Sequence, residues 1–254
     1  MEKITPLMGT WLQIGNPIVA EIAAYKDFDW ICVDLEHSPT TIETMGNMFR
    51  AIRAANKDVM LTVRVPDHDP KTISRCLDVG AECLIVPQVN TYEQALDIVK
   101  AAKYPPIGER GCGFAQSNRY GSDDLMENIC TIIVQVEHWS VIRKEKLERG
   151  VKSYHSELEK IINHPHIDGA FIGPLDLEAS LPSNQDRKHQ VHLLMEIFKD
   201  IMSMHRKYIG IHIIDPSSME VARVIRAGYN FIALGVDTSL LSQSMTDLFN
   251  REDM

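Results

Sequence analysis

Three ionisable side chains crowd the end of one apolar run: Asp34, Glu36 and His37 close the stretch Asp29-Trp30-Ile31-Cys32-Val33-Asp34-Leu35-Glu36-His37. A strand buried on both faces reads as a near-continuous hydrophobic run. Carboxylates and an imidazole bunched at its carboxyl end therefore stand where parallel α/β sheets and barrels place their chemistry. Arg64 lies inside a second apolar run, Val59 to Val65, and a guanidinium there must find an anion. Gln135 and Glu137 end the run that starts at Thr131, and Asp176 follows Gly173-Pro174. Neighbouring strands are roughly 4.8 Å apart, so Glu137 and Asp176, at the ends of consecutive strands, can approach closely. Uncompensated, such a pair drives one pKa up. A divalent cation removes the conflict, and two carboxylates completed by waters and a chelating substrate make an oxygen-rich site of the Mg²⁺ or Mn²⁺ kind, with Co²⁺ or Zn²⁺ as alternatives. The plainer role for either carboxylate is a helix cap.

Other residues are read the same way, with the ordinary role beside the chemical one. His37 either acts on protons or caps the following turn, where Ser38, Pro39 and Thr40 already supply turn chemistry. Asp78, near the end of a helical pattern, reads equally well as a solvated helix carboxylate. His212 falls inside an apolar run and could line a barrel mouth, whereas the remaining histidines fall in loops or on surfaces. Imine chemistry needs a lysine projecting from a strand, and none of the apolar runs contains one.

These groups need a scaffold that brings strand ends together. Eight short runs rich in Val, Ile and Leu read as strands: Leu7 to Ile14, Trp30 to Leu35, Val59 to Val65, Cys83 to Val86, Thr131 to Val136, Gly169 to Ile172, Tyr208 to Ile214 and Phe231 to Val236. Helical patterns alternate with them, at about Pro17 to Lys26, Thr41 to Ala55, Lys71 to Val79, Tyr92 to Lys103, Lys144 to Asn163, Lys188 to His205, Ser217 to Arg226 and Thr238 to Phe249. Alternating strands and helices over 254 residues predict one (β/α)₈ TIM barrel spanning residues 1–254, with an open doubly wound sheet as the alternative. The Gly- and Pro-rich segment Tyr104 to Leu125 is too long for a plain turn and is expected to be an active-site loop. Its glycine spacing is not that of a dinucleotide-binding turn.

Composition narrows the class of partner. Net charge is −9, from 26 basic and 35 acidic residues, without a basic cluster, which argues against nucleic acid. No run approaches the roughly 18 apolar residues of a membrane span. The five cysteines form no C-x-x-C pair, which suits buried thiols in a reducing compartment, so the expected location is the cytoplasm.

The blocks Gly9-Thr10-Trp11, Asp34-Leu35-Glu36-His37, Val63-Arg64-Val65, Leu77-Asp78-Val79-Gly80-Ala81, Val86-Pro87-Gln88-Val89, Tyr104-Pro105-Pro106-x-Gly108-x-Arg110-Gly111, Gln135-Val136-Glu137 and Gly169-Ala170-Phe171-Ile172-Gly173-Pro174-Leu175-Asp176-Leu177 occur in this order. Together, across Gly9 to Leu241, the chain resembles the HpcH/HpaI family of class II pyruvate aldolases, barrels of the phosphoenolpyruvate/pyruvate-binding type. The resemblance implies that Glu137 and Asp176 ligate the divalent metal and that Arg64 holds the pyruvyl oxygen. It further implies that Gln135 lies beside the substrate, that His37 paired with Asp78 moves protons, that the backbone of Gly173, Pro174 and Leu175 receives the carboxylate, and that Trp11 lines the site. The implied reaction cleaves or forms a 4-hydroxy-2-oxo acid from a small 2-oxo acid and an aldehyde. A citrate-synthase-like condensation of acetyl-CoA with oxaloacetate is the alternative. Family relatives are hexamers whose last helix reaches a neighbour, so a homo-oligomer, in particular a hexamer with the helix at about 238–251 exchanged, is expected. Two departures from the family stand out: residues 138–167 run roughly a dozen longer than the family leads one to expect at typical helix lengths, and Glu178-Ala179-Ser180-Leu181-Pro182 stands where the family has serine and a small-residue run ending in glycine.

Overall fold

The computed structural model describes residues 5–124, 130–143, 156–182 and 186–249. The strands are β1 (Leu7–Leu12), β2 (Trp30–Asp34), β3 (Met60–Arg64), β4 (Cys83–Val86), β5 (Thr131–Val136), β6 (Gly169–Ile172), β7 (Tyr208–Ile213) and β8 (Phe231–Val236). The helices are α1 (Pro17–Ala24), α2 (Ile42–Ala55), α3 (Pro70–Asp78), α4 (Tyr92–Ala102), α5 (Trp139–Ile142), α6 (Glu157–Asn163), α7 (Pro174–Ser180), α8 (Arg187–Ser203), α9 (Ser218–Arg226) and α10 (Asp237–Phe249). Each strand pairs in parallel with the next and β8 closes on β1, giving a closed barrel in sequence order. This is the (β/α)₈ barrel, and the open sheet is excluded.

Local chemistry sets the helix ends. Asn16 and Asp69 cap α1 and α3 with a proline at the first helical position, and Thr91 with Gln94 forms a capping box on α4. Gly80 and Gly228 take φ of +106° and +99° just past α3 and α9, which a side chain would resist. Period-two alternation then splits the strands. Ile31, Val33, Leu84, Val134 and Ile172 face the helices in the large outer core. Trp11, Trp30, Cys32, Cys83, Ile85, Ile133, Phe171, Phe231 and Ala233 fill the barrel interior. Trp30 stacks on Phe231 at 4.4 Å, and a Cβ on Gly9 would fall 2.0 Å from the Trp30 ring, so glycine at that position makes room for the indole.

The expected and observed elements differ in a few places. β1 stops at Leu12 because the backbone N–H groups of Gln13 and Ile14 turn to the Asp237 carboxylate. The helix expected over Lys144 to Asn163 is described only as α6, together with the short α5; residues 144–155 lie outside the described residues. Helix α7, announced only by Pro174, was not anticipated. Of the segment expected as an active-site loop, the described residues 104–124 fold within the chain against α3: Arg110 bonds Asp78 at 2.6 Å, and Gln116 packs beside Gly80. Among the described residues no helix is long and apolar enough to cross a membrane.

Candidate active site

The carboxyl ends of β2 to β6 converge on a mouth cavity of about 230 Å³ lined by Glu36, His37, Gln88, Asn90, Glu137, His138 and Asp176. Its floor begins with Arg64, the last residue of β3. Arg64 Nε donates to Asp34 Oδ1 at 2.8 Å and Nη2 to Asp34 Oδ2 at 2.6 Å, a bidentate pair, while Nε also lies 3.3 Å from Glu36 Oε2. Asp34 has no exposed surface and further accepts from the Glu36 and His37 N–H groups and from Gln13 Nε2. Burial pushes its carboxyl up, yet the bonds and charge of Arg64 prevail and hold it below the usual carboxylate range. Two of the five guanidinium N–H groups are thus fixed by Asp34, and the remaining ones suit a developing oxyanion. The guanidinium carbon rests 4.7 Å over the Trp11 ring.

Glu137 extends from the end of β5 and is 8% exposed. Its Oε2 accepts the Gln88 N–H at 2.8 Å and its Oε1 accepts Gln135 Nε2 at 3.0 Å. Gln88 adopts a left-handed φ of 51° to aim that N–H, and the preceding Pro87 carbonyl lies 2.6 Å from His68 Nε2. Burial raises the Glu137 carboxyl to about 7; the charges of Glu36 and Asp176 add to this, against the Gln88 bond and Arg64. Glu36 is raised as well, by burial and by Asp34 and Asp176 against Arg64.

Asp176 stands in the first turn of α7, across Gly173 from Glu137. A Cβ built on Gly173 would lie 3.0 Å from Glu137 Cγ and 3.4 Å from Asp176 Oδ2, so the glycine leaves a gap between the two carboxylates that a side chain would fill. Buried Gln135 Oε1 has no hydrogen-bond partner there. Crowded hard oxygens, the raised carboxyl of Glu137 and an unpartnered amide oxygen fit a divalent cation of the Mg²⁺ or Mn²⁺ type held by Glu137 and Asp176. Among the described residues no cluster of three or more His, Cys, Asp or Glu groups could enclose a metal. Such a site would keep open positions for water and substrate.

The structure thus gathers Arg64, Gln135, Glu137, Asp176 and Gly173 at one mouth, with His37 on its rim. His37 is 63% exposed and its Nε2 lies 3.6 Å from Glu36 Oε2. It is not joined to Asp78 within the chain: Asp78, at the end of α3, is committed to Arg110, so the dyad expected from the resemblance is absent in the single subunit. Trp11 is 4% exposed and serves as the platform under Arg64, and Leu175, in the first turn of α7, is 66% exposed. Sequence reasoning gave Asp34 and Glu36 no role beyond their place at a strand end. Gln88 was also missed, since its contribution is a backbone N–H and no side-chain motif marks it. The strands hold no lysine; buried Lys103 bonds the Cys130 carbonyl at the opposite end of the barrel.

A closed barrel with a carboxylate pair and a fixed guanidinium at its carboxyl mouth defines an enzyme built to stabilise an oxyanion. The family model of HpcH/HpaI aldolase/citrate lyase matches residues 7–244, and the chain belongs to that family. It is 34% identical over 247 residues to the 2-keto-3-deoxy-L-rhamnonate aldolase of Klebsiella pneumoniae subsp. pneumoniae, covering 94% of this chain and 85% of that one. Among solved structures, an HpcH/HpaI aldolase/citrate lyase family protein from Burkholderia cenocepacia J2315 superposes with a TM-score of 0.83 at 31% identity, over 96% of this chain and 93% of the other. The citrate synthase SbnG shares the fold, with a TM-score of 0.78 at 22% identity over 96% and 92% of the two chains. The chain is an enzyme of the aldolase class, a carbon–carbon lyase.

Proposed function

We propose that this aldolase cleaves and forms a 4-hydroxy-2-oxo acid of the 2-keto-3-deoxy sugar-acid type through a pyruvate enolate, with Mg²⁺ or Mn²⁺ held by Glu137 and Asp176. The observation that carries the reading is the gap at Gly173 between two carboxylates, facing a guanidinium fixed by Asp34. When bound, the cation supplies Lewis acidity toward the keto oxygen. Arg64 then stabilises the negative charge that grows on that oxygen, and the backbone of Gly173 to Leu175 receives the carboxylate. Gln135 holds Glu137 in place and presents its free Oε1 to the ligands of the site. In cleavage His37 takes the proton of the 4-hydroxyl, the C3–C4 bond breaks, the aldehyde leaves and C3 of the enolate is protonated to give pyruvate.

The condensing alternative with acetyl-CoA and oxaloacetate rests on fold likeness alone. The 34% identity to a 2-keto-3-deoxy-L-rhamnonate aldolase supports the aldol reading instead. The exposed stripe Leu240, Leu241, Met245, Leu248 and Phe249 on α10, a helix with no buried residue, supports a homo-oligomer in which α10 docks on a neighbour, a hexamer on the family pattern. The five cysteines are all free thiols, four of them buried, which supports a reducing compartment such as the cytoplasm. The test is release of pyruvate from 2-keto-3-deoxy-L-rhamnonate and related 4-hydroxy-2-oxo acids before and after chelation. Metal-dependent release is expected, and no release from any of them would overturn the reading.

A further inference from the structure

Pro87 and Gln88 share one peptide group, and both of its polar ends are taken. The Gln88 N–H donates to Glu137 Oε2 at 2.8 Å, and the Pro87 carbonyl lies 2.6 Å from His68 Nε2. A carbonyl can only accept, so Nε2 carries the ring proton and donates it. A trans peptide points its C=O and N–H in opposite directions. His68 and Glu137 therefore hold one rigid plane from its two sides, the first from the loop between β3 and α3 and the second from just past β5.

That plane needs holding. Gln88 takes a φ of 51°, a region that residues other than glycine adopt at a cost, and such a conformation persists only where the surroundings over-determine it. Turning the peptide over would return Gln88 to the extended region, but it would swing the N–H away from Glu137 and set the Pro87 carbonyl against the carboxylate. The chain after the peptide is fixed separately: the Val89 N–H reaches the Gln135 carbonyl at 3.3 Å, and Gln94 Oε1 accepts the Asn90 and Thr91 N–H groups at 2.7 and 3.1 Å. Those bonds anchor the loop and leave the direction of the peptide itself to His68 and Glu137.

The sequence also builds His68 into place. Asp67 Oδ1 accepts the Asp69 N–H at 3.0 Å, closing a turn over His68, and Asp69 Oδ1 accepts the Lys71 and Thr72 N–H groups as the cap of α3. The imidazole is half-buried and opens on a groove of about 420 Å³ between α3 and α4, which shares no lining residue with the mouth cavity. His68 stands outside the mouth, and no step of the aldol chemistry uses it. Partners of a metal ligand fix its direction, and losing one commonly weakens metal binding about tenfold to a hundredfold. The Gln88 N–H is such a partner of Glu137, and His68 acts one bond further out.

We propose that His68 is a positioning residue for the metal site: by donating its Nε2 proton to the Pro87 carbonyl it locks the Pro87–Gln88 peptide with its N–H on Glu137, and so raises the affinity for the divalent cation. This rests on the reading of Glu137 as a metal ligand. The lock is one neutral hydrogen bond, which contributes about fivefold.

The test titrates chelator-treated, dialysed protein with Mn²⁺ and reads free Mn²⁺ by electron paramagnetic resonance. It compares wild type, His68→Leu, His68→Gln, Gln88→Pro, the double variant His68→Leu with Gln88→Pro, and Glu137→Gln. His68→Leu should weaken Mn²⁺ binding about fivefold, and His68→Gln, whose amide N–H₂ can donate in place of Nε2, should recover most of it. In Gln88→Pro the peptide has no N–H to aim, so adding His68→Leu should change nothing further. Unchanged affinity in His68→Leu overturns the proposal. An equal loss from His68→Leu in both backgrounds also overturns it and assigns His68 to loop packing. Glu137→Gln that binds Mn²⁺ as wild type does overturns the metal reading and this inference with it, whereas a loss in Glu137→Gln beside an unchanged His68→Leu overturns this inference alone.

Discussion

The backbone N–H of Gln88 reaches Glu137 Oε2 at 2.8 Å from a left-handed conformation, φ 51°, so a backbone group just past β4 positions a metal-ligand candidate just past β5. Gln88→Pro removes that N–H and forbids the positive φ, whereas Gln88→Gly keeps both. A hydrogen bond to a charged group contributes about 1.5–3 kcal/mol, so Gln88→Pro should weaken Mn²⁺ binding by about tenfold to a hundredfold. Gln88→Gly should bind as wild type does. Calorimetric titration of the purified protein with Mn²⁺ checks this, and equal affinities in the two variants would contradict it.

Arg64 grips Asp34 with two parallel bonds that lysine cannot copy. Arg64→Lys should therefore lose enolate formation nearly as completely as Arg64→Ala, for which removal of an oxyanion donor costs about a hundredfold to a thousandfold. Asp34→Asn should bring down the same rate by unseating the guanidinium. Pyruvate proton exchange reads all three, and full exchange in Arg64→Ala would refute its role.

Much of this site was legible in the sequence because the groups that form it end apolar runs. Asp34, Arg64, Gln135 and Glu137 each sit at or just past the carboxyl end of a strand whose hydrophobic pattern is unmistakable, and all eight strands fall where the runs predict. What escaped was set by tertiary geometry. Gln88 acts through its backbone, and α7 is only seven residues long and marked by a lone proline. Asp78 carries the expected residue type, but its partner depends on how the Tyr104 to Leu125 segment folds back, and there Arg110 reaches it first.

The metal-free and metal-bound proteins should respond oppositely to pH. Glu137 is raised from 4.5 to about 7 in the folded chain, so its stabilising contribution is full below the unfolded value and is lost as pH rises through about 7. With a chelator, Tm should therefore decline from pH 5 to 8 by more in wild type than in Glu137→Gln. With Mg²⁺ the ionised carboxylate is the ligand, so affinity should climb over the same range and binding should release protons. Identical slopes in wild type and Glu137→Gln would contradict this assignment.

The uncovered stripe on α10 should be covered in solution. Multi-angle light scattering at micromolar concentration should give an oligomer, with a hexamer expected, and Leu248→Glu with Phe249→Glu should shift it toward smaller species. A monomeric mass for wild type would contradict the docking of α10 on a neighbour.

With no lysine in any strand among the described residues, borohydride in the presence of pyruvate should leave activity intact, since no strand lysine offers an imine to be trapped. Inactivation with covalent labelling would point to a different mechanism.

The central claim, enolate formation at a metal site made by Glu137 and Asp176, is tested most directly by exchange of the pyruvate methyl protons with D₂O. Wild type with Mg²⁺ should exchange them and chelation should stop it. Added Mn²⁺ should restore exchange, and Glu137→Gln and Asp176→Asn should each abolish it while melting as folded proteins. Exchange that survives thorough chelation, or a wild type inert toward pyruvate that condenses acetyl-CoA with oxaloacetate, would contradict it.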